Sequence, residues 1–270
     1  MYIKRSIIIL IIAVIAGLKG YSQEILSNEA SYRVEYSYYY KRDSTKTGYL
    51  MDTYFLDICK SGHSFFYSRI TQYRDSVKQA SLAQGMDAYQ ASEVIRSLPR
   101  GLVWYIDKRY ADRKVMYYTQ LVWDVFRGIG ELELPKWEIV GDTTILNGFT
   151  CKKAIGVAGG REWIVWYTPD IQLNEGPWLL WGLPGLILKA EDSTGCFKFI
   201  CDNVGELAPP YYVLLSGDYN NTRSMDLAGA VRAETMYELD PKKFMSVYGF
   251  GEMQGPPIPQ RYYIPLYLVE

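Results

Sequence analysis

Few side chains in this sequence could perform nucleophilic or acid–base chemistry. His63 is the single histidine among 270 residues, so a Ser-His-Asp or Cys-His arrangement would have to use it. Cys59 precedes it on the same predicted hairpin and could form a thiol–imidazole pair with it, but a disulfide cysteine beside a surface histidine is the more common arrangement. Glu131 and Glu133 have the residue types that glycoside hydrolysis uses, although nothing in the sequence places them in a cleft. We therefore predict no catalytic residue.

The cysteines offer a second kind of chemistry. They number four, an even count that permits two disulfides in an exported chain. A Cys196–Cys201 bridge is excluded if both lie on one strand, because their Cα atoms would be roughly 16 Å apart and a bridge needs about 7 Å or less. Either cysteine would instead pair with Cys59 or Cys151, or stay free. The sequence has no Cys-x-x-Cys pair, so we predict no metal and no cofactor.

Residues 177–188, PWLLWGLPGLIL, contain no polar side chain. This segment is shorter than a transmembrane helix, which takes about 20 residues, and its prolines and glycines prevent a regular helix. Residues 183–186 fit a type II turn, with proline at the second position and positive φ at Gly185. The segment must therefore fill a core or line a binding surface. In the second case the binding residues would be Trp178, Trp181, Leu183, Leu186 and Leu188.

Aromatic residues make up 15% of the chain, including 25 tyrosines. Broad, amphipathic rings suit strands, and they could also line a carbohydrate or aromatic ligand site. Alternating segments predict strands at 31–41, 47–59, 63–70, 101–108, 113–126, 137–146, 186–191 and 196–202, a further strand within 209–217, and a hairpin with arms at 149–157 and 161–167.

Three segments differ from this strand pattern. Residues 72–98 predict one or two helices with a break at Gly85, residues 224–239 a helix, and Asp240-Pro241 the start of another. The fold class is therefore mainly β with a helical insertion. We predict a curved antiparallel sheet, either a half-barrel or an open barrel.

The two ends of the chain bear on localisation and domain organisation. Residues 1–22 resemble a secretory signal peptide, with a basic start, an apolar stretch and small residues before the cleavage site. We predict a single antiparallel β domain over 23–248 and an irregular, proline-rich tail over 249–270. After cleavage no segment is apolar enough to span a membrane. The formal net charge of −1 gives no electrostatic reason to expect nucleic acid as a partner.

The apolar segment also carries a recognisable signature. Gly182, Leu183, Pro184, Gly185, Leu186 and Ile187 spell GLPGLI, and Cys151, Ala154, Arg161, Trp163, Ile171 and the dipeptide Gly176-Pro177 stand around it. On these residues the chain resembles the GLPGLI family of exported proteins, typical of the Bacteroidetes. It departs from the pattern at Gln172, where a proline is expected. The resemblance implies a bacterial protein of the periplasm or cell envelope. It implies no reaction, because the family's function is unassigned.

Two functions from different classes follow. The first is a non-enzymatic binding or carrier protein, with an apolar or aromatic-lined site for an apolar ligand inside the curved sheet. The second is an interaction module that assists an outer-membrane transporter, with residues 249–270 contacting another envelope protein. An enzyme is a third and weaker interpretation.

Overall fold

The computed structural model describes residues 29–212, 222–252 and 262–268. The segment interpreted as a signal peptide, residues 1–22, and most of the proline-rich segment of the tail lie outside these ranges. Within them the fold is one sheet of twelve strands with four helices.

The strands are numbered in chain order. They are β1 (Glu29–Tyr40), β2 (Leu50–Cys59), β3 (His63–Ser68), β4 (Tyr105–Arg109), β5 (Lys114–Leu121), β6 (Asp124–Glu131), β7 (Trp137–Leu146), β8 (Phe149–Ala158), β9 (Arg161–Thr168), β10 (Leu186–Asp192), β11 (Phe197–Tyr212) and β12 (Thr222–Asp226). Their order in the sheet is β12-β6-β5-β4-β3-β2-β1-β11-β10-β9-β8-β7. All neighbours are antiparallel except β12 and β6, which are parallel. The mainly β prediction is confirmed, and the sheet is open rather than a closed barrel.

The open sheet curls, so that strands far apart in its order meet. Val115 on β5 and Ile155 on β8 border the same cavity. The Trp181 indole N–H, in the β9–β10 connection, donates to the carbonyl of Glu133, which follows β6, at 2.9 Å. One concave face therefore encloses the main core, in which alternate residues of β1 such as Val34, Tyr36 and Tyr38 are buried.

The apolar segment 177–188 lies in this core. Leu180, Leu186 and Ile187 are completely buried, and the Tyr36 hydroxyl donates to the Ile187 carbonyl at 2.7 Å. Burying each aliphatic side chain stabilises the fold by about 1.5–3 kcal/mol. The segment is therefore a cover for the concave face of the sheet.

The turn inside this segment differs from the predicted type. Gly185 has φ of +146°, which confirms the positive φ. However, the Gly185 N–H donates to the Leu183 carbonyl at 2.8 Å, and the Leu186 N–H donates to the Ile171 carbonyl at 3.2 Å. The turn is thus a three-residue turn centred on Pro184. The type II prediction is wrong because Ile171 takes the N–H that would close such a turn.

A buried ion pair holds the loop that leads into the apolar segment. The Lys108 ammonium on β4 lies 2.8 Å from a Glu175 carboxylate oxygen and also donates to the Gly176 carbonyl at 3.1 Å. Lys108 is completely buried, and Glu175 is nearly so. Removing one partner from such a pair leaves an uncompensated buried charge, so the pair fixes the position of this loop.

Four helices complete the described fold: α1 (Arg69–Ala83), α2 (Ala88–Arg96), α3 (Leu227–Leu239) and α4 (Pro241–Val247). The predicted insertion is confirmed as α1 and α2, with Gly85 at φ +89° between them. Asp240 caps α4, with proline in its first turn, as predicted. Helix α3 begins later than predicted, because Thr222–Asp226 pairs with β6 as β12. Gly128 lets α3 approach β6, since a Cβ there would lie 2.8 Å from the Ala230 Cβ.

Part of the predicted tail packs against the domain. Residues 262–268 contain no helix or longer strand, but Tyr263 forms an isolated bridge with Asp43, and the Leu268 N–H donates to the Gly159 carbonyl at 2.9 Å. The Arg161 guanidinium donates to the carbonyls of Pro265 and Leu266 at 2.5 and 2.9 Å. We call residues 262–268 the C-terminal strap.

Replacing Gly185 by alanine is expected to destabilise the protein by about 3 kcal/mol or more. The new Cβ would lie 2.1 Å from the Thr168 carbonyl oxygen, which belongs to the backbone and cannot move aside. Gly205→Ala on β11 is the control, because a Cβ there meets nothing within 4 Å. Urea unfolding measures both variants, and equal midpoints would contradict the proposed close approach.

Lys108→Met should lower the free energy of unfolding by about 3–5 kcal/mol, since it leaves the Glu175 carboxylate buried without its cation. Adding Glu175→Met to the same chain should recover part of this loss. Lys114→Met, at an exposed position of β5, should change stability by less than about 0.5 kcal/mol. If the double variant is less stable than Lys108→Met alone, the ion pair does not account for the effect.

Candidate functional site

The five residues that the sequence suggested for binding do not form a binding face. Trp178, Leu183, Leu186 and Leu188 are buried in the core. Trp181 is partly exposed, but its indole N–H is engaged by Glu133. Of the five, Trp178 alone borders a cavity of about 770 Å³ that is described below. The structure therefore uses the GLPGLI segment chiefly as core.

The sequence also left open disulfide pairing and a thiol–imidazole pair. Cys59, Cys151, Cys196 and Cys201 are all free, so the permitted bridges are not formed. Burial first, and nearby carboxylates such as Asp57 second, raise the pKa of the Cys59 thiol to about 12. A thiol with such a pKa is protonated at neutral pH and is a poor nucleophile.

Of the remaining candidates from the sequence, His63 lies among charged neighbours, and Glu131 and Glu133 border the smaller cavity of about 440 Å³ that Val115 and Ile155 also border. His63 Nδ1 is 3.7 Å from an Asp107 carboxylate oxygen, and Arg109 pairs with the same Asp107 at 2.8 Å. Burial lowers the pKa of His63 despite the neighbouring carboxylate. Glu131 is largely exposed and pairs with Arg113 at 3.2 Å. In the part of the chain that the structure describes, no cluster of three or more His, Cys, Asp or Glu residues could hold a metal ion.

A cavity of about 770 Å³ lies between the concave face of the sheet, α3, the helical insertion and the C-terminal strap. Its walls are rich in aromatic side chains from four parts of the chain: Tyr38, Tyr40, Trp104, Tyr117, Phe197 and Tyr263. We call it the aromatic cavity. The rings pack on one another, with Tyr38 and Tyr40 stacked at 5.0 Å between centroids and Trp104 at 6.0 Å from Tyr38.

Glu234 on α3 is the central titratable group of the aromatic cavity. It is half-buried, borders the cavity and accepts a hydrogen bond from the Tyr117 hydroxyl of β5. Burial, with a smaller contribution from the neighbouring Glu238, raises its pKa from the ordinary 4.5 to about 7. The Tyr117 hydrogen bond and the Arg42 guanidinium act in the opposite direction. The carboxyl group therefore titrates close to neutral pH.

The charged neighbours of Glu234 have partners of their own. Arg42 and Glu238 pair with each other at 2.5 Å. Burial holds the pKa of Tyr263 well above the ordinary value for tyrosine, and Glu234 raises it further. Tyr263 therefore stays a neutral wall of the site.

Sequence reasoning missed Glu234, although a signal was present. The predicted helix places Leu227, Ala230, Val231 and Glu234 at the spacing of one helical face. The first three are buried against the sheet. A glutamate on the apolar face of an amphipathic helix is uncommon and points to a partner or a cavity. Whether the glutamate meets a partner or a cavity depends on the positions of β5 and the strap, and the sequence of the helix does not reveal these positions.

The stability of the protein should depend on pH through Glu234. Because folding raises the pKa of Glu234 from 4.5 to about 7, the native state keeps a proton that the unfolded chain releases in this range. The free energy of unfolding should therefore fall as pH rises from about 4.5 to about 7 and then level off. The free energy of unfolding of Glu234→Gln, minus that of the unsubstituted protein, should therefore be larger at about pH 8 than at about pH 5. Glu35→Gln, on the opposite face of the sheet, is the control. If this difference in the free energy of unfolding is the same at both pH values, the raised pKa of Glu234 is contradicted.

Comparison with known families matches one part of the chain. Residues 156–189 match a family described as a protein of unknown function (Porph_ging). This segment contains the last three residues of β8, all of β9, the loop with Glu175 and the GLPGLI residues. It includes Arg161, which holds the C-terminal strap, and Gly185, which lies in the close turn. It does not include α3 or Glu234. No curated protein matches the chain.

Among solved structures, the chain resembles one described as PNGF-II in the P21 space group. The TM-score is 0.51 at 14% sequence identity, over 77% of this chain and 33% of that one. A second structure of PNGF-II, in the C2 space group, gives 0.48 at 13% identity over 73% and 31%. The chain thus spans about a third of the length of the solved structures it matches. At this identity the likeness concerns the fold alone.

Proposed function

We propose that the protein is an exported, non-enzymatic binding protein of the cell envelope, and that its ligand occupies the aromatic cavity. The observation that carries this proposal is a partly open cavity of about 770 Å³ that Glu234 borders. Ligand sites are typically clefts of about 300–1,000 Å³, lined by aromatic and apolar side chains with a few polar groups. The aromatic cavity has this size and the aromatic side chains, and it carries more polar and charged groups than such a cleft usually does.

The backbone at the edge of the cavity supports a functional role. Trp178 borders the cavity with φ of +53°, in the left-handed region that bulky residues rarely adopt. Gly159 packs against its ring, where a Cβ would lie 2.2 Å from the indole. Strained conformations persist only where the surrounding structure imposes them, and they cluster at binding and catalytic sites.

The chemistry of the walls favours an amphipathic ligand over a simple acyl chain. Most of the apolar segment is buried among Tyr36, Trp163 and Phe199, and from this segment Trp178 and Leu179 border the cavity. The cavity is bordered by Glu234 and Glu238 on α3 and by Arg74 on α1. Charged groups beside aromatic rings suit a ligand with both a polar group and an apolar or planar part.

Export is supported by the sequence of residues 1–22 and by the resemblance to exported proteins. Among the described residues no helix has the length and apolar character needed to cross a membrane. The packing of the C-terminal strap on the domain does not favour the alternative role of the tail as a contact segment for a transporter. Tyr263 faces the cavity and packs on the domain, which leaves Tyr262 as the more exposed of the two tyrosines.

The neutral dye Nile red tests whether the aromatic cavity accepts a ligand. Thr235 borders the cavity on α3 and is only partly buried, so Thr235→Trp should fill the space without disrupting the core. We expect the dye to bind the unsubstituted protein with enhanced fluorescence, and Thr235→Trp to weaken binding by about tenfold or more. Lys242→Trp, at an exposed position of α4, is the matched control. Equal affinities for the three proteins would place the dye elsewhere and contradict the proposal.

A further inference from the structure

The acidic wall of the aromatic cavity has an unbalanced charge. Among the described residues Glu234 forms one hydrogen bond, with the neutral Tyr117, and no basic group lies within ion-pair distance of it. The nearest cation that influences it, Arg42, is engaged by Glu238 at 2.5 Å. The ionised carboxylate therefore lacks a counter-charge of its own, which is costly in a partly desolvated site.

The surroundings of this carboxylate suit a cation. Tyr38, Tyr117 and Tyr263 border the same part of the cavity, and Glu234 influences the titration of all three. Aromatic faces attract ammonium groups through their quadrupole, and the attraction grows when the cation is desolvated. A carboxylate within a group of tyrosines thus offers an organic cation both a counter-charge and apolar contact.

Further basic residues border the cavity away from α3, whereas Arg42 borders it beside Glu238. Arg74, Lys78 and Arg100 border it from the helical insertion and the segment that follows. Arg74 donates to the main-chain carbonyls of Ile95 and Leu98 at 2.6 and 2.7 Å. The cavity therefore has two glutamates on α3 and an excess of basic groups at the helical insertion and the segment after it, where Asp75 is the acidic residue that also borders it, and this uneven charge would orient a charged ligand.

We propose that Glu234, with Tyr38, Tyr117 and Tyr263 around it, binds the ammonium group of a small organic cation. This inference rests on the proposed binding function and specifies the ligand class for the same site. The raised pKa of Glu234 adds a pH dependence, because the carboxylate forms as pH rises through about 7. The other charged groups that act on it are Arg42 and Glu238.

Choline and its neutral isostere 3,3-dimethylbutan-1-ol provide the test, because they share a shape and differ in charge. NMR titration of the full chain should show choline binding about tenfold or more tightly than the alcohol. Glu234→Gln should reduce this ratio to about one, whereas Glu234→Asp should keep a preference for choline. The affinity for choline should rise between about pH 6 and about pH 8 in the unsubstituted protein and stay constant in Glu234→Gln. Glu35→Gln should behave like the unsubstituted protein.

The outcomes separate this inference from the binding function itself. If Nile red binds in the cavity but choline and the alcohol bind equally, or if Glu234→Gln keeps the preference, the cation assignment is wrong and the binding function stands. If Nile red binding is unaffected by Thr235→Trp and choline does not bind, both proposals fail.

A lipid headgroup could supply the same ammonium group. Vesicles of phosphatidylcholine distinguish this source from a free ligand. If the protein sediments with the vesicles and Glu234→Gln does not, the ligand is a lipid headgroup. If the protein binds choline but does not sediment with the vesicles, the ligand is a free cation. Either result supports the inference.

Discussion

The ion pair between Lys108 and Glu175 is the contact on which the arrangement of the concave side depends. Lys108 belongs to β4, near one end of the sheet, and Glu175 lies between β9 and β10, toward the other. In the low dielectric of the core, each charge needs the other to offset the loss of its hydration. Together with the Tyr36 contact to the Ile187 carbonyl, the pair places the apolar segment under the sheet. The sheet must curl for these contacts to form.

This placement divides the concave side into a filled part and an open part. The apolar segment and Trp163 fill the part beneath β1, β10 and β11. Beyond Trp178 the cover consists of α3 and the C-terminal strap, which leave the aromatic cavity between them and β5. The abundance of tyrosine has two explanations as a result. Some tyrosines, such as Tyr36, pack and bond within the core, and others, such as Tyr263, form the walls of a site with Glu234.

The residues of the GLPGLI resemblance have structural roles in this arrangement. Gly185 passes close to the Thr168 carbonyl, Arg161 holds the strap through two carbonyls, and Trp163 lies 5.5 Å from Trp178 between ring centroids. The strap in turn forms a wall of the cavity. The signature residues thus position the wall of the candidate site but do not include Glu234, the charged group of that site. This explains why the signature indicates a fold more clearly than an activity.

The sequence by itself determined the local structure. Strand alternation, the hairpin between β8 and β9, the break at Gly85 and the cap at Asp240 all follow from patterns within a few residues. It also determined that a wholly apolar segment must be enclosed. Tertiary structure decided the turn at Pro184, the conversion of residues 222–226 into a parallel strand, the free state of the cysteines and the position of Glu234. These features depend on groups distant in the chain, such as Ile171 for the turn and Tyr117 for Glu234, and their meeting is fixed by the curl of the sheet. A short sequence pattern specifies which residues are buried, whereas the fold specifies what each of them meets.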